Sequence, residues 1–71
     1  MTDKELLLSK IKDSGMTMVA IAEKSGIDRA TIYNRLNGIG EWTASEIVSL
    51  SKALRLTKHE RDAIFLTKSV N

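Results

Sequence analysis

Gly26 divides two short runs of helix-forming residues, and this break constrains the fold more than any other feature of the chain. The runs before and after it are about eight residues each, and isolated helices of that length are marginal in water. Both must therefore be held by contacts with the rest of the domain. Glycine adopts positive φ at little cost, and Ile32 and Leu36 follow at the spacing of one helix face. The break is predicted to be a corner between two packed helices.

The remaining sequence also favours helix, because proline is absent and the Val, Ile and Thr residues are scattered through helical patterns. We predict an all-α fold of five short helices in a single domain over residues 1–71. The predicted helices cover about residues 3–14, 17–25, 28–37, 43–54 and 57–66. Residues 67–71 are expected to fray.

Capping residues mark the predicted helix starts, and each is worth on the order of 1 kcal/mol. A Thr with a Glu three residues later predicts a capping box at three starts, namely Thr2 with Glu5, Thr43 with Glu46, and Thr57 with Glu60. Thr17 and Asp28 are the predicted caps of the second and third helices. Trp42 could stack on a base, but its position opposite Ile47 favours a hydrophobic staple at the start of the fourth helix.

Composition argues against several classes of function. The chain has no cysteine, so it has no disulfide, thiolate zinc site or thiol nucleophile. His59 has no second ligand at a useful spacing, and the carboxylates belong to caps and to i,i+4 pairs such as Lys58 with Asp62. We therefore expect no enzyme activity, no cofactor and no metal site. No apolar run approaches the roughly 18 residues of a membrane span, so no membrane partner is expected.

The net charge of the chain is compatible with nucleic-acid binding but does not require it. The 11 Lys and Arg residues exceed the 9 Asp and Glu residues by only two, and the charges are spread along the whole chain. Such a small excess gives no strong cationic footprint. Any contact with nucleic acid must therefore come from where the charges are placed.

The segment "MTMVAIAEKSGIDRATIYNRLNG" resembles the helix-turn-helix of the Cro and phage-repressor family. The resemblance places the helix-turn-helix at about residues 17–37, in the second and third helices, and implies a lambda-repressor-like DNA-binding domain. Two residues depart from the family pattern. Met18 replaces a polar residue that braces a phosphate contact, and Arg35 lies where many members bury an aliphatic side chain. The matching positions are Thr17, Ile21, Ala22, Gly26, Ile27, Thr31, Ile32, Asn37 and Gly38.

The third helix carries the predicted base-reading residues. On a helical wheel that starts at Ile32, Leu36 lies at about 40° and Asn34 at about 200°, so Asn34 faces away from the buried side. Asn can pair with adenine, small side chains can touch a thymine methyl, and Arg can reach guanine or a phosphate. The predicted base contacts are Arg29, Ala30, Thr31, Tyr33 and Asn34, although Tyr33 could equally cover the edge of the helix with its hydroxyl in water.

The predicted phosphate contacts are Thr17, Met18, Lys24 and Asn37. The resemblance places Thr17 and the amides that follow it, beginning with Met18, where the family grips a phosphate, at a helix N-terminus that favours anions. The alternative for Lys24 is simple solvation, which is the usual state of an isolated lysine. Asn37 with Gly38 also makes a good helix stop, whether or not Asn37 binds a phosphate.

Together these features indicate a sequence-specific transcription regulator of a phage or prophage switch that reads double-stranded operator DNA in the cytoplasm of a bacterial host, associated with the nucleoid. The alternative is an antirepressor that binds a phage repressor protein through the same scaffold, as the small net charge and Met18 would allow. A homodimer on DNA is also expected. Its seam could be Ile64, Phe65 and Leu66, but a chain this small needs those residues to close its own core against the first helix.

Overall fold

Caps and turns divide residues 2–66, the part of the chain that the structure describes, into five helices. The structure is a computed structural model. No strand occurs within these residues, and the predicted all-α fold of five short helices is confirmed. The predicted fraying of residues 67–71 lies outside the described residues. The helices are α1 (Lys4–Asp13), α2 (Met18–Ser25), α3 (Arg29–Leu36), α4 (Ala44–Ala53) and α5 (Lys58–Phe65).

Three of the predicted N-caps form as expected. At the start of α4, the Thr43 hydroxyl accepts from the Glu46 amide at 3.2 Å, and the Glu46 carboxylate accepts from the Thr43 amide at 3.0 Å. Thr57 and Glu60 make the same reciprocal pair at 3.0 and 2.9 Å. Thr17 accepts from the third amide of α2 at 3.1 Å. Each arrangement satisfies amides that have no partner within their own helix.

The predicted caps of α1 and α3 need correction. Asp3, not Thr2, caps α1, and its carboxylate accepts from the Leu6 amide at 3.0 Å. The reason is a contact distant in sequence, because the Asp3 amide donates to the carbonyl of Ile64 in α5 at 2.8 Å and thereby fixes where α1 begins. Asp28 holds the N-cap position of α3 but makes no side-chain capping bond. Its carboxylate is exposed and stays in solvent.

The core lies between the two pairs of helices α2–α4 and α1–α5. Helix α2 packs mainly against α4, while α1 packs against α5. Burial of apolar side chains at these contacts supplies most of the stability of helices that are too short to persist alone. The buried core residues are Leu7, Ile21, Ile27, Ile32, Leu36, Leu50, Leu54, Ile64 and Phe65.

The aromatic residues close this core at the end of α5. Trp42 packs against the core, and its ring meets Phe65 edge to face at a centroid distance of 5.6 Å. Trp42 therefore packs against the core, as predicted, and its aromatic partner there is Phe65. Ile64 and Phe65 are also buried, which supports their role in the monomer core. Leu66 is 62% exposed and does not take part in it.

Candidate nucleic-acid interface

A left-handed glycine forms the corner between α2 and α3. Gly26 has a φ of 73°, and its amide donates to the carbonyl of Ala22 at 2.8 Å. The Ser25 hydroxyl then accepts from the Ile27 amide at 3.2 Å, which guides the chain into α3. A residue with a Cβ would be strained at this φ. The predicted corner is confirmed, and residues 18–37 do not form one continuous helix.

The buried side of α3 sets its rotation about its own axis. Ile32 is fully buried, and Ile27 and Leu36 are each only 8% exposed. Leu36 thus supplies the packing that Arg35 does not. Because Ile32 and Leu36 are four residues apart, they lie on one face, and the opposite face of α3 is turned outward.

The outward face of α3 carries the residues that were predicted to contact bases. Arg29, Ala30 and Asn34 are exposed, Tyr33 is 48% exposed, and Thr31 is half-buried. The side-chain amide of Asn34 has no hydrogen bond to any of residues 2–66 and is free to pair with a ligand. The short side chains of Ala30, Thr31 and Asn34 allow the helix backbone to approach base edges in the major groove.

The predicted phosphate contacts do not form one cluster. Thr17 is exposed at the N-terminus of α2, whereas Lys24 is exposed in the last turn of that helix, about 10 Å away along its axis. Asn37 is exposed at the end of α3. Met18 is half-buried with its side chain against the core, so only its backbone amide is available to an anion.

Arg35 holds the end of α3 against the start of α4. Its Nε donates to the Glu46 carboxylate at 3.3 Å, and its Nη1 donates to the carbonyl of Ile39 at 3.1 Å. The carbonyl of Asn34 also accepts from the Ile39 amide at 2.8 Å. These bonds tie the outward face of α3, through its last turn, to a loop and a second helix.

We call the hydrogen bonds of Arg35 to Glu46 and Ile39 the Arg35 brace. Glu46 is its centre, because one carboxylate oxygen of Glu46 accepts from both Thr43 and Arg35. The backbone hydrogen bond from Thr43 lowers the pKa of Glu46, and the hydrogen bond and charge of Arg35 lower it further, against the opposing effect of partial burial. Gly40, with a φ of 74°, leaves room for the guanidinium, since an added Cβ would lie 3.1 Å from Cζ of Arg35 and nearer still to Nη1.

Sequence reasoning missed this brace and the exposed Ile39 beside it. On the sequence alone, Arg35 is a departure from a buried aliphatic position, and Glu46 is only a capping residue. The sequence indicates this brace only in part. Gly40 lies between Arg35 and Glu46, and the capping box already fixes the position of the Glu46 carboxylate. Ile39 is 59% exposed next to the last turn of α3 and extends the apolar part of this surface.

No group of three or more His, Asp or Glu side chains within residues 2–66 is arranged to hold a metal ion. None of the five helices has the length and apolar character needed to cross a membrane.

The fold and the exposed face of α3 define a five-helix domain of the helix-turn-helix class. A family model described as helix-turn-helix matches residues 7–60, which is most of the chain. The chain belongs to this helix-turn-helix family of DNA-binding regulatory domains, and its function is that of a DNA-binding transcription regulator. No curated protein and no solved structure gives a significant match.

Proposed function

We propose that the protein is a Cro-like or repressor-like regulator of a phage or prophage genetic switch, which inserts α3 into the major groove of an operator. The observation that carries the proposal is the outward face of α3, where Asn34 is exposed with an unpaired side-chain amide while Ile32 is fully buried. A bidentate pair between an Asn and adenine is worth about 1–3 kcal/mol of discrimination.

The neighbouring residues take supporting roles in this proposal. Arg29, in the first turn of α3, reaches a guanine or a phosphate, and Ala30 and the Thr31 methyl touch thymine methyl groups. Tyr33 covers the edge of the groove. These side chains surround Asn34 on the exposed surface, so one docking pose could use all of them.

Backbone contacts orient the helix without reading sequence. Thr17 and the Met18 amide bind a phosphate at the N-terminus of α2, where the helix dipole favours an anion. Lys24 and Asn37 bind phosphates near the other end of α2 and at the end of α3. Because a single module buries little surface on DNA, the protein binds a two-fold operator as a weak homodimer. Its place of action is the nucleoid in the bacterial cytoplasm.

The test has two steps. Operator DNA is first selected from a random duplex library, and its binding is then titrated by fluorescence anisotropy at low and moderate salt. Asn34→Ala should lose about 1–3 kcal/mol of specific binding and relax the base preference at one position, with little change in stability. Lys24→Ala is the matched control, because a lost phosphate contact should weaken all sequences alike and reduce the salt slope by about one. If Asn34→Ala binds with unchanged affinity and preference, α3 does not read bases through this residue.

A second candidate, an antirepressor that binds a phage repressor protein, is favoured by apolar exposure around the same face. Val19 is 48% exposed, Tyr33 48% and Ile39 59%, and these side chains resemble the apolar part of a protein interface more than a phosphate-binding surface. The net charge of +2 is also small for a DNA-binding domain. Sedimentation with a purified phage repressor protein tests it: a heterodimer that persists in high salt would support the antirepressor role, and its absence would rule it out for that repressor.

A further inference from the structure

The corner between α4 and α5 gathers cations around a small pocket. Residues from both helices line a cavity of about 210 Å³, and no Asp or Glu is among them. A pocket below the usual 300–1,000 Å³ of small-molecule sites is large enough for one side chain or one small anionic group. Its lining residues are Val48, Ser51, Lys52, Arg55, Leu56, Thr57, Lys58 and Arg61.

Most of the charge at this corner is not neutralised by the protein itself. Arg61 lies 3.2 Å from Asp62. That contact replaces the predicted pair of Lys58 with Asp62, which does not form. Within residues 2–66, no carboxylate lies within 4.0 Å of Lys52, Arg55 or Lys58. Lys58 also occupies the first turn of α5, where a cation is disfavoured by the helix dipole.

Arg55 takes a backbone conformation that favours glycine. Its φ is 56°, and it is the single non-glycine residue with positive φ in the described part of the chain. The Arg55 amide bonds to the carbonyl of Lys52 at 3.1 Å, and the Leu56 amide bonds to the carbonyl of Ser51 at 2.9 Å. This pattern is a Schellman helix end, in which the left-handed position is usually Gly or Asn. Arg55 therefore lines the pocket from a backbone conformation that is strained for a residue with a Cβ.

A buried hydroxyl in the pocket lining also lacks a partner. Ser51 is 7% exposed, and its Oγ makes no hydrogen bond within residues 2–66. Serine in a helix often bonds to the carbonyl one turn before it, but Ser51 does not. The pocket lining therefore includes a buried polar atom that the described residues leave unsatisfied.

The α4–α5 corner is well separated from the outward face of α3. Helix α4 begins beside the last turn of α3, where Glu46 meets Arg35, and the cations lie at its other end. Ten residues of helix span about 15 Å. A ligand at the corner therefore does not need the groove-reading face.

We propose that the α4–α5 corner is a docking site for an acidic segment of a protein partner, with one Asp or Glu carboxylate held in the pocket by Arg55 and Lys58. The surroundings favour a protein over a nucleic acid because apolar groups lie among the cations: Val48 is 47% exposed, and Leu56 lines the same pocket. A peptide can offer acidic and apolar side chains together, whereas a phosphate backbone offers only the charge.

The experiment follows backbone amide shifts by NMR while the full chain is titrated with an acetylated, amidated Glu-Leu-Glu-Glu-Leu-Glu peptide at low salt. The expected result is shifts at Lys52, Arg55 and Lys58 that disappear when Gln replaces every Glu of the peptide. Arg55→Gly with Lys58→Gln should weaken the peptide roughly five- to tenfold, from two surface charge contacts. The matched control, Lys4→Gln with Lys12→Gln, removes the same charge from α1 and should bind as the wild type does.

Arg55→Gly alone separates a binding role from a structural one. It should weaken the peptide while raising the melting temperature by roughly 4 °C or more, because glycine relieves the left-handed strain. Operator binding should be unchanged in these variants, and Asn34→Ala should still bind the peptide, so failure here is distinguishable from failure of the DNA proposal.

Three results would overturn the docking site. One is the absence of peptide shifts at the corner, and another is equal weakening by the α1 control pair. The third is a stronger response of the same amides to inorganic phosphate or to nonspecific duplex DNA than to the peptide, which would make the corner a phosphate site.

Discussion

The α2–α3 corner and the α4–α5 corner are both sharp turns between short helices, yet they present opposite surfaces. The first uses Gly26 at positive φ and exposes the outward face of α3 around Asn34. The second places Arg55 at positive φ and exposes a cluster of cations around a pocket. A net charge of +2 for the whole chain conceals this division. Within one small domain, the backbone geometry of a turn and the chemistry displayed on it are set independently.

Both corners depend on one core, and removing part of it gives the largest expected effect. Ile32→Ala should destabilise the domain by roughly 3 kcal/mol, because Ile32 is fully buried and truncation leaves a cavity. Because native proteins are stable by only about 5–15 kcal/mol, this is a large part of the margin. Urea unfolding followed by circular dichroism measures it, and DNA and peptide binding should fall together.

Val48→Ala is the control for this experiment, because Val48 is 47% exposed and its truncation should change stability by no more than about 0.5 kcal/mol. If Ile32→Ala were as mild as Val48→Ala, α3 would not be anchored through this residue.

The two capping boxes allow a finer separation of the corners. Glu46 caps α4 and pairs with Arg35 of α3, whereas Glu60 caps α5 and pairs with Lys10 of α1 at 2.9 Å. Glu46→Ala should destabilise the domain by roughly 1 kcal/mol through the lost cap. It should also weaken operator binding roughly two- to tenfold, because the brace on the recognition helix is lost.

Glu60→Ala is the matched variant, since it removes an equivalent cap and ion pair on the far side of the core. It should also destabilise the domain but leave operator affinity unchanged when both variants are measured well below their melting temperatures. Equal losses of DNA affinity in the two variants would show that the Arg35 brace does not position α3.

Local signals account for most of the fold that could be predicted from sequence. Thr43 with Glu46, and Thr57 with Glu60, identify helix starts because a capping box involves only residues three apart. Asp3 was missed as a cap because its position depends on a bond to Ile64, more than sixty residues away. Prediction failed where tertiary contacts override local preference.

The same distinction applies to the candidate site. The outward position of Asn34 followed from helical periodicity, since burial of one face determines the other. The brace between Arg35 and Glu46 could not be read in this way, because it depends on how α3 meets α4. Arg55 was overlooked at the second corner because the residue expected at a left-handed helix end is Gly or Asn.

Protonation of Glu46 and Glu60 should give the smallest change in the free energy of unfolding, because it removes a charge but keeps the side chain. Backbone hydrogen bonds from Thr43 and Thr57 lower the pKa of Glu46 and Glu60, and Arg35 and Lys10 lower them further. A lowered pKa in the folded state means that the stabilisation is fully present above the ordinary glutamate value of 4.5 and is lost as the pH falls through the lowered value. The free energy of unfolding should therefore decline on the acid side of pH 4.5.

Lys10 determines the alkaline limb of the curve of stability against pH, since its hydrogen bond and charge interaction with Glu60 raise its pKa above 10.5. Its contribution is present below that value and is lost as the pH rises through the raised value. Urea midpoints across the pH range, with Glu46→Gln and Glu60→Gln as references, measure both limbs. The acid limb should flatten in each variant, and the alkaline limb should flatten only in Glu60→Gln, because only Glu60 pairs with Lys10. An alkaline limb that flattened equally in Glu46→Gln would mean that the two sides of the core are electrostatically coupled and that the corners are not independent.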